Sequence, residues 1–170
     1  DLPSGARMCF TSAAAMVAVH HKKVHTQEEY SRIRAKFGDT TSIGAHVKAL
    51  TSLGLTVTFT QSADADDVME AIDSGIPVLV GWLHQGNMLR GEPPMCSSKT
   101  CGHWSVIHGY SGRYSNDPSW LMSDPAGVPY IEEGGHNSAL SGYRVSVRQA
   151  AFYQRWQADG PKSGWAIFAE

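Results

Sequence analysis

The first half of the chain has the apolar spacing and the N-terminal signals of helices. An alanine-rich run that is apolar on most sides predicts a buried first helix, because alanine favours helix and leaves room for close packing. Thr26 and Ser42 stand where N-cap residues are expected, and Asp64 begins an acidic first turn that suits the helix dipole. The predicted helices cover residues 9–22, about 26–37, about 43–52 and about 64–74.

Shorter runs rich in β-branched and aromatic residues predict strands, mostly in the second half. The predicted strands cover residues 55–60, 75–82, 102–110, 120–123 and 165–169, and an amphipathic pattern predicts a last helix over 146–157. Two long loops, 84–101 and 126–143, separate these elements, and loops of that length are often functional. Because helices come mainly first and strands mainly later, we predict an α+β fold with a largely antiparallel sheet.

Composition narrows the class of protein. The chain has 170 residues with 42% hydrophobic content, which predicts one domain over residues 1–170 with a real core. The net charge of −2 gives no basic excess, so we expect no nucleic-acid partner. The apolar stretches are too short to span a bilayer. Asp1 follows no initiator Met, so we expect a processed or trimmed piece, and upstream residues could hold a targeting segment.

The three cysteines divide into a close pair and a single residue. Cys96 and Cys101 could form a disulfide, which would indicate an oxidising compartment, or remain two thiols in a reducing one. We favour the disulfide. Cys9 stands alone and is the candidate for a free, reactive thiol.

Cys9 lies at the start of the predicted first helix, where the partial positive charge of the helix N-terminus stabilises a thiolate. His103 begins a strand, and Asp124 follows at the end of the next one. A hairpin pairs the beginning of one strand with the end of the next, so the two side chains are expected to meet. The carboxylate would then accept a hydrogen bond from Nδ1 of His103. The pattern predicts a Cys–His–Asp triad, although each residue alone is more often structural.

Other candidate sites are weaker. Cys96 and Cys101 with His103 and His108 could be interpreted as a zinc set, but the spacing is unusual and the two histidines should face opposite sides of a strand. We therefore expect no metal and no cofactor. Asp117 competes with Asp124 as the orienting acid, but it precedes a proline in a turn.

Trp104 is the next residue after the predicted base. Most tryptophans in strands belong to the core. The position of Trp104 nevertheless makes it a candidate for lining the substrate cleft, with core packing as the alternative.

Four sequence blocks follow one another along the chain: CFTSAAAM from Cys9, GIPVLV from Gly75, GHWSVIHGY from Gly102 and DPAG from Asp124. Together and in this order they resemble blocks of the bacteriocin-processing (double-glycine leader) peptidases and their stand-alone relatives. The first block resembles that family's nucleophile helix, Cys-Gly-Pro-x-Ser-x-x-Met. The last helix and the WAIF run from Trp165 also resemble the family's C-terminal end. The resemblance covers nearly the whole chain, and it implies a papain-like fold and peptide-bond hydrolysis by Cys9, His103 and Asp124.

The sequence departs from the family at two points. Phe10 and Thr11 replace the usual Gly-Pro after the cysteine, and residues 1–8 contain no glutamine. The resemblance implies that such a glutamine donates to the oxyanion hole, where loss of one donor costs roughly 10²–10³ in rate. We expect the glutamine upstream of Asp1 or another donor in its place. Without either, the domain would be a weak or inactive enzyme.

These observations predict a cysteine peptidase whose substrate is a peptide. The long loops and the possible disulfide suit a stand-alone extracellular or virion-associated enzyme, so a peptidoglycan peptide is the expected substrate, as for a bacterial or phage lysin. The chain could also be part of a larger polypeptide or assembly such as a phage tail. Two alternatives stay open: a non-catalytic module that binds peptide or cell wall, and an acyl transferase on the same fold.

Overall fold

The computed structural model describes residues 7–95 and 102–170. Over these residues, five α-helices pack on a six-stranded antiparallel sheet, so the predicted α+β class is confirmed. The helices are α1 (Cys9–His20), α2 (Gln27–Ala35), α3 (Ile43–Ser52), α4 (Ala65–Asp73) and α5 (Gln149–Trp156). The strands are β1 (Val57–Ala63), β2 (Val78–Leu83), β3 (Gly102–Ser111), β4 (Ser119–Ser123), β5 (Val128–Pro129), β6 (His136–Asn137), β7 (Val145–Arg148) and β8 (Gly164–Ala169).

Side-chain caps start the helices α2, α3 and α4. The hydroxyl of Thr26 accepts a hydrogen bond from the backbone of Glu29 at 3.1 Å, and Ser42 caps α3 in the same way. Asp64 and Asp67 form a complete capping box at the start of α4. These caps satisfy N–H groups that no helical turn can reach, and they confirm the predicted starts of α2, α3 and α4.

The sheet has the strand order β1-β8-β2-β3-β4-β7. Because successive side chains of a strand point to opposite faces, the sheet supports two cores. On one face, Leu79 and Ile167 pack with the alanines of α1. On the other, Val80 and Ala166 pack with the apolar residues of α4 and α5. The strands β2 and β3 contribute side chains to both cores, and β4 contributes to the second, so the side chains of a site can be held rigidly on these strands.

The predicted last helix begins three residues too early. Residues 145–148 form the edge strand β7, which pairs with β4, and α5 starts only at Gln149. Val145 and Val147 are β-branched and alternate with polar residues, so they complete the sheet edge instead of extending the helix. The strand predicted over 75–82 also begins too early, because the observed strand β2 starts at Val78, after Pro77.

The start of α1 is anchored by stacked rings. Phe10 lies between Trp104 and His46, with ring centroids 4.0 Å and 3.8 Å away. Ala13 and Ala14 are completely buried, so the helix packs closely against β3. This contact fixes the first turn of α1, and Cys9 with it, against the sheet. None of the helices in the described residues is long and apolar enough to cross a lipid bilayer.

Candidate active site

Cys9 is the first residue of α1 and is partly exposed. Met8 at the N-cap gives no side-chain hydrogen bond, and the first turn contains no acidic residue. The helix therefore presents unsatisfied N–H groups and a partial positive charge at this end. Both features stabilise negative charge on a sulfur atom.

His103 and Asp124 meet across the pair of strands that the sequence indicated. Val106 of β3 lies opposite Ser123 of β4, so Asp124, one residue later, falls near the start of β3. Nε2 of His103 lies 3.0 Å from Oδ1 and 2.9 Å from Oδ2 of Asp124. Both residues are 4% exposed. The thiol of Cys9 lies close enough to the same imidazole for each to shift the pKa of the other, so the structure brings all three predicted residues together.

The nitrogen that faces the carboxylate differs from the predicted one. We expected Nδ1 of His103 to donate to Asp124, but Nε2 does so. Nδ1 is therefore the nitrogen that is left to face Cys9. The reason is reach: Nε2 lies at the tip of the ring and can cross to the end of β4, whereas Nδ1 lies nearer the backbone of β3 and the adjacent α1.

Further groups hold the carboxylate of Asp124. Ser105 donates its hydroxyl hydrogen to Oδ2 at 2.7 Å, and the backbone N–H of Ala126 donates to Oδ1 at 2.8 Å. The indole N–H of Trp82 donates in turn to the Ser105 hydroxyl at 2.9 Å. A buried chain of hydrogen bonds therefore runs from Trp82 through Ser105 and Asp124 to His103. Sequence analysis missed Ser105, although its place two residues after His103 puts it on the same face of β3.

His136 is a second histidine beside the carboxylate, and sequence analysis also missed it. Its Nε2 lies 3.4 Å from Oδ2 of Asp124, and its side chain is 10% exposed. It stands on β6, in the long loop region predicted over 126–143. No local sequence pattern pairs such a loop residue with a distant strand end. The length and glycine content of that loop were the only signals of a functional residue there.

The charges of the site support one another. Burial alone would raise the pKa of Asp124, but contacts with His103 and His136 hold that pKa well below its ordinary value. Burial alone would lower the pKa of His103, but the hydrogen bonds to Asp124 and the nearby thiol of Cys9 raise it to about 9. For Cys9, burial opposes ionisation, yet His103 and the backbone N–H groups of Trp104 and Phe10 lower the thiol pKa. These shifts favour a thiolate–imidazolium pair near neutral pH.

Trp104, the predicted cleft residue, is mostly buried. It is 8% exposed, and its ring stacks on Phe10 in the core. It also contributes to the wall of a cavity of about 300 Å³, together with His103, Trp82 and Trp165. Its contact with substrate stays a prediction. The competing acid, Asp117, lies on the exposed loop between β3 and β4.

The zinc set that was considered and set aside includes Cys96 and Cys101, which lie outside the described residues, as does the disulfide expected between them. His108 bonds to the Ser123 hydroxyl at 2.9 Å. Among the described residues, His103, Asp124 and His136 form a group that could hold a metal, because their ligating atoms all lie within 4.8 Å of one another.

Comparisons with known proteins define the class. The model of the Peptidase_C39 like family matches residues 5–163. Among solved structures, the peptidase domain of Streptococcus ComA, a bi-functional ABC transporter involved in a quorum-sensing pathway, is 18% identical with a TM-score of 0.58. That alignment covers 96% of this chain and 90% of the other. A Bacillus anthracis protein described as a C39-like peptidase is 14% identical with a TM-score of 0.62, over 99% and 91% of the two chains.

The match to the family model extends over nearly the whole chain, so this protein belongs to the C39-like peptidase family. Its fold is the papain-like fold of the C39 peptidase domains, as the resemblance implied. A comparison with curated proteins finds no significant match.

Proposed function

We propose that this protein is a cysteine peptidase that hydrolyses peptide bonds with Cys9, His103 and Asp124. The observation that supports this most directly is the continuous contact from the thiol to the imidazole and on to the buried carboxylate, at 2.9 Å and 3.0 Å for the last link. Family membership supports a peptidase-like function in general. The triad supplies the nucleophile, the base and the group that orients the base.

In the proposed reaction, the Cys9 thiolate attacks the carbonyl carbon of the substrate, and the backbone N–H of Cys9 stabilises the oxyanion. The His103 imidazolium protonates the leaving amine as the C–N bond breaks, which leaves a thioester on Cys9. Neutral His103 then takes a proton from water, and the hydroxide attacks the thioester. The products are an amine and a carboxylate, and the thiolate–imidazolium pair is restored.

We further propose a peptidoglycan stem or cross-bridge peptide as the substrate of an extracellular or virion-associated enzyme. The support for this substrate is structural. It is the long loop region that carries His136 and adjoins the site. Membership of a larger assembly such as a phage tail belongs to the same proposal. This part is separable from the catalytic proposal and is tested separately.

The test is incubation of the protein with purified cell walls and, in parallel, with a mixture of unrelated peptides. Mass spectrometry then detects new amino and carboxyl ends, with Cys9→Ala as the matched control. New ends in both samples would support the peptidase but not the substrate class. New ends in neither sample would contradict the catalytic proposal.

A non-catalytic binding module is the second candidate, since residues 1–8 contain no oxyanion glutamine. It predicts that cell-wall or peptide binding survives Cys9→Ala while the unmodified protein turns nothing over. The acyl-transferase alternative predicts amide products when a free amine is added to the same digests.

A further inference from the structure

The carboxylate of Asp124 has more imidazole around it than the proposed catalysis requires. The ring centroids of His103 and His136 lie 4.4 Å apart, and the ring of His84 lies 5.5 Å from each of them. The proposed reaction uses only His103. His136, the second histidine beside this buried carboxylate, therefore needs a separate explanation.

The spacing of three of these groups fits a small metal ion. Oδ2 of Asp124 lies 2.9 Å from Nε2 of His103 and 3.4 Å from Nε2 of His136. Tetrahedral zinc with bonds of about 2.0–2.1 Å holds its ligand atoms about 3.3 Å apart. Both measured separations lie close to that value, and all three ligating atoms are within 4.8 Å of one another. Small side-chain rotations would complete three ligand positions.

The buried ring nitrogen of His136 is a second observation that favours a metal ion. Its Nε2 is buried and, among the described residues, has no hydrogen-bond partner with good geometry. Its side chain is nine-tenths buried, and this nitrogen points at the carboxylate. Buried polar atoms without a partner are costly and uncommon, so this nitrogen is suited to a ligand that bonds more strongly than a distant carboxylate oxygen.

We propose that His103, Asp124 and His136 form a binding site for a divalent transition-metal ion of the zinc type, and that this ion inhibits the enzyme. Two imidazoles and one carboxylate suit Zn²⁺, Co²⁺, Ni²⁺ or Cu²⁺, whereas Mg²⁺ and Ca²⁺ prefer oxygen ligands. The metal replaces the proton on Nε2 of His103, and that proton leaves to solvent.

Inhibition follows from what remains on the ring of His103. With a metal on Nε2 and a hydrogen on Nδ1, the ring is a neutral imidazole and no longer an imidazolium. Protonation of the leaving amine would leave an imidazolate, so His103 no longer acts as the acid in the first half of the reaction. The carboxylate of Asp124, bound to the metal, no longer orients the ring. The inhibition rests on the proposed peptidase function, but the binding of the ion does not.

The binding test uses the Cys9→Ser variant, so that no thiolate on Cys9 can hold the ion. Isothermal titration with Zn²⁺ and the visible absorption of Co²⁺ measure affinity and coordination without any substrate. His136→Gln, in the same background, should weaken binding at least about tenfold, because even second-shell changes cost roughly 10–100-fold in metal affinity. His25→Gln is the matched control, since His25 is exposed and only its backbone N–H forms a described hydrogen bond.

The expected result is one ion per chain, intense tetrahedral Co²⁺ absorption, and loss of both in His136→Gln but not in His25→Gln. Asp124→Asn serves as the second variant if His136→Gln fails to fold by circular dichroism. Binding that disappears in Cys9→Ser, or that survives both His136→Gln and Asp124→Asn, would overturn the proposal. If the protein binds the ion but has no peptidase activity, the proposed function is contradicted and the proposed metal site is not.

Discussion

The hydroxyl of Ser105 is the most informative position to perturb outside the three triad residues. It is completely buried, accepts a hydrogen bond from Trp82 and donates one to Asp124. Ser105→Ala removes both bonds without changing the backbone. The substitution leaves the indole N–H buried with no acceptor, and it takes away one donor from a charged carboxylate.

The magnitude follows from these two losses. A hydrogen bond to a charged group contributes about 1.5–3 kcal/mol, and a buried donor left unsatisfied costs about 1–3 kcal/mol. Because neighbouring effects do not add fully, we expect Ser105→Ala to lower the free energy of unfolding by about 2–4 kcal/mol. Ser62→Ala is the matched control, since Ser62 is an exposed serine on β1, and it should change stability by no more than about 0.5 kcal/mol.

Urea unfolding followed by circular dichroism measures both variants, and a double-mutant cycle with Trp82→Phe isolates the bond between the two side chains. Trp82→Phe removes the N–H donor, so the double variant should be destabilised by less than the sum of the single variants, with a coupling of about 0.5–3 kcal/mol. Equal stability of Ser105→Ala and Ser62→Ala, or full additivity in the cycle, would refute the buried hydrogen-bond chain.

Three further predictions concern charge and packing. The alkaline limb of kcat/KM should lie at about pH 9, because the raised pKa of His103 keeps the ring protonated until pH rises through that value. The stability that the imidazolium contributes should be lost over the same pH range. Asp124→Asn should move the limb to lower pH, and an unmoved limb would contradict the assignment. Asp64→Ala should lower the free energy of unfolding by about 1 kcal/mol in urea, since it breaks the capping box of α4; no change would show that this cap is dispensable. Arg155→Lys should lower the free energy of unfolding by about 2–4 kcal/mol in the same assay, because a lysine cannot donate to all the backbone carbonyls that the buried guanidinium binds. Unchanged stability would show that those bonds contribute little.

The elements that sequence patterns predicted correctly are those with strong local signals. Thr26, Ser42 and Asp64 are short polar residues that bond to their own helix, so the helix starts could be recognised from sequence alone. The strand β7 was missed because its four residues adjoin α5 directly, and only pairing with β4 makes them extended. A local pattern cannot contain that pairing.

The same distinction applies to the site. Cys9, His103 and Asp124 could be placed together because a helix start, a strand start and a strand end carry positional information. Ser105 and His136 were missed because their roles come from contacts across the fold. The ring nitrogen of His103 that faces the carboxylate depends on a side-chain torsion, which no sequence pattern specifies.

The central claim is that Cys9 is a thiolate made reactive by His103, and brief substoichiometric alkylation with iodoacetamide at pH 6 tests it most directly. Mass spectrometry locates the label in the unmodified protein and in His103→Ala. The account predicts fast labelling of Cys9 alone, because its pKa is lowered, and loss of that reactivity in the variant. Slow labelling of Cys9, or labelling no faster than that of Cys96 and Cys101, would contradict the account.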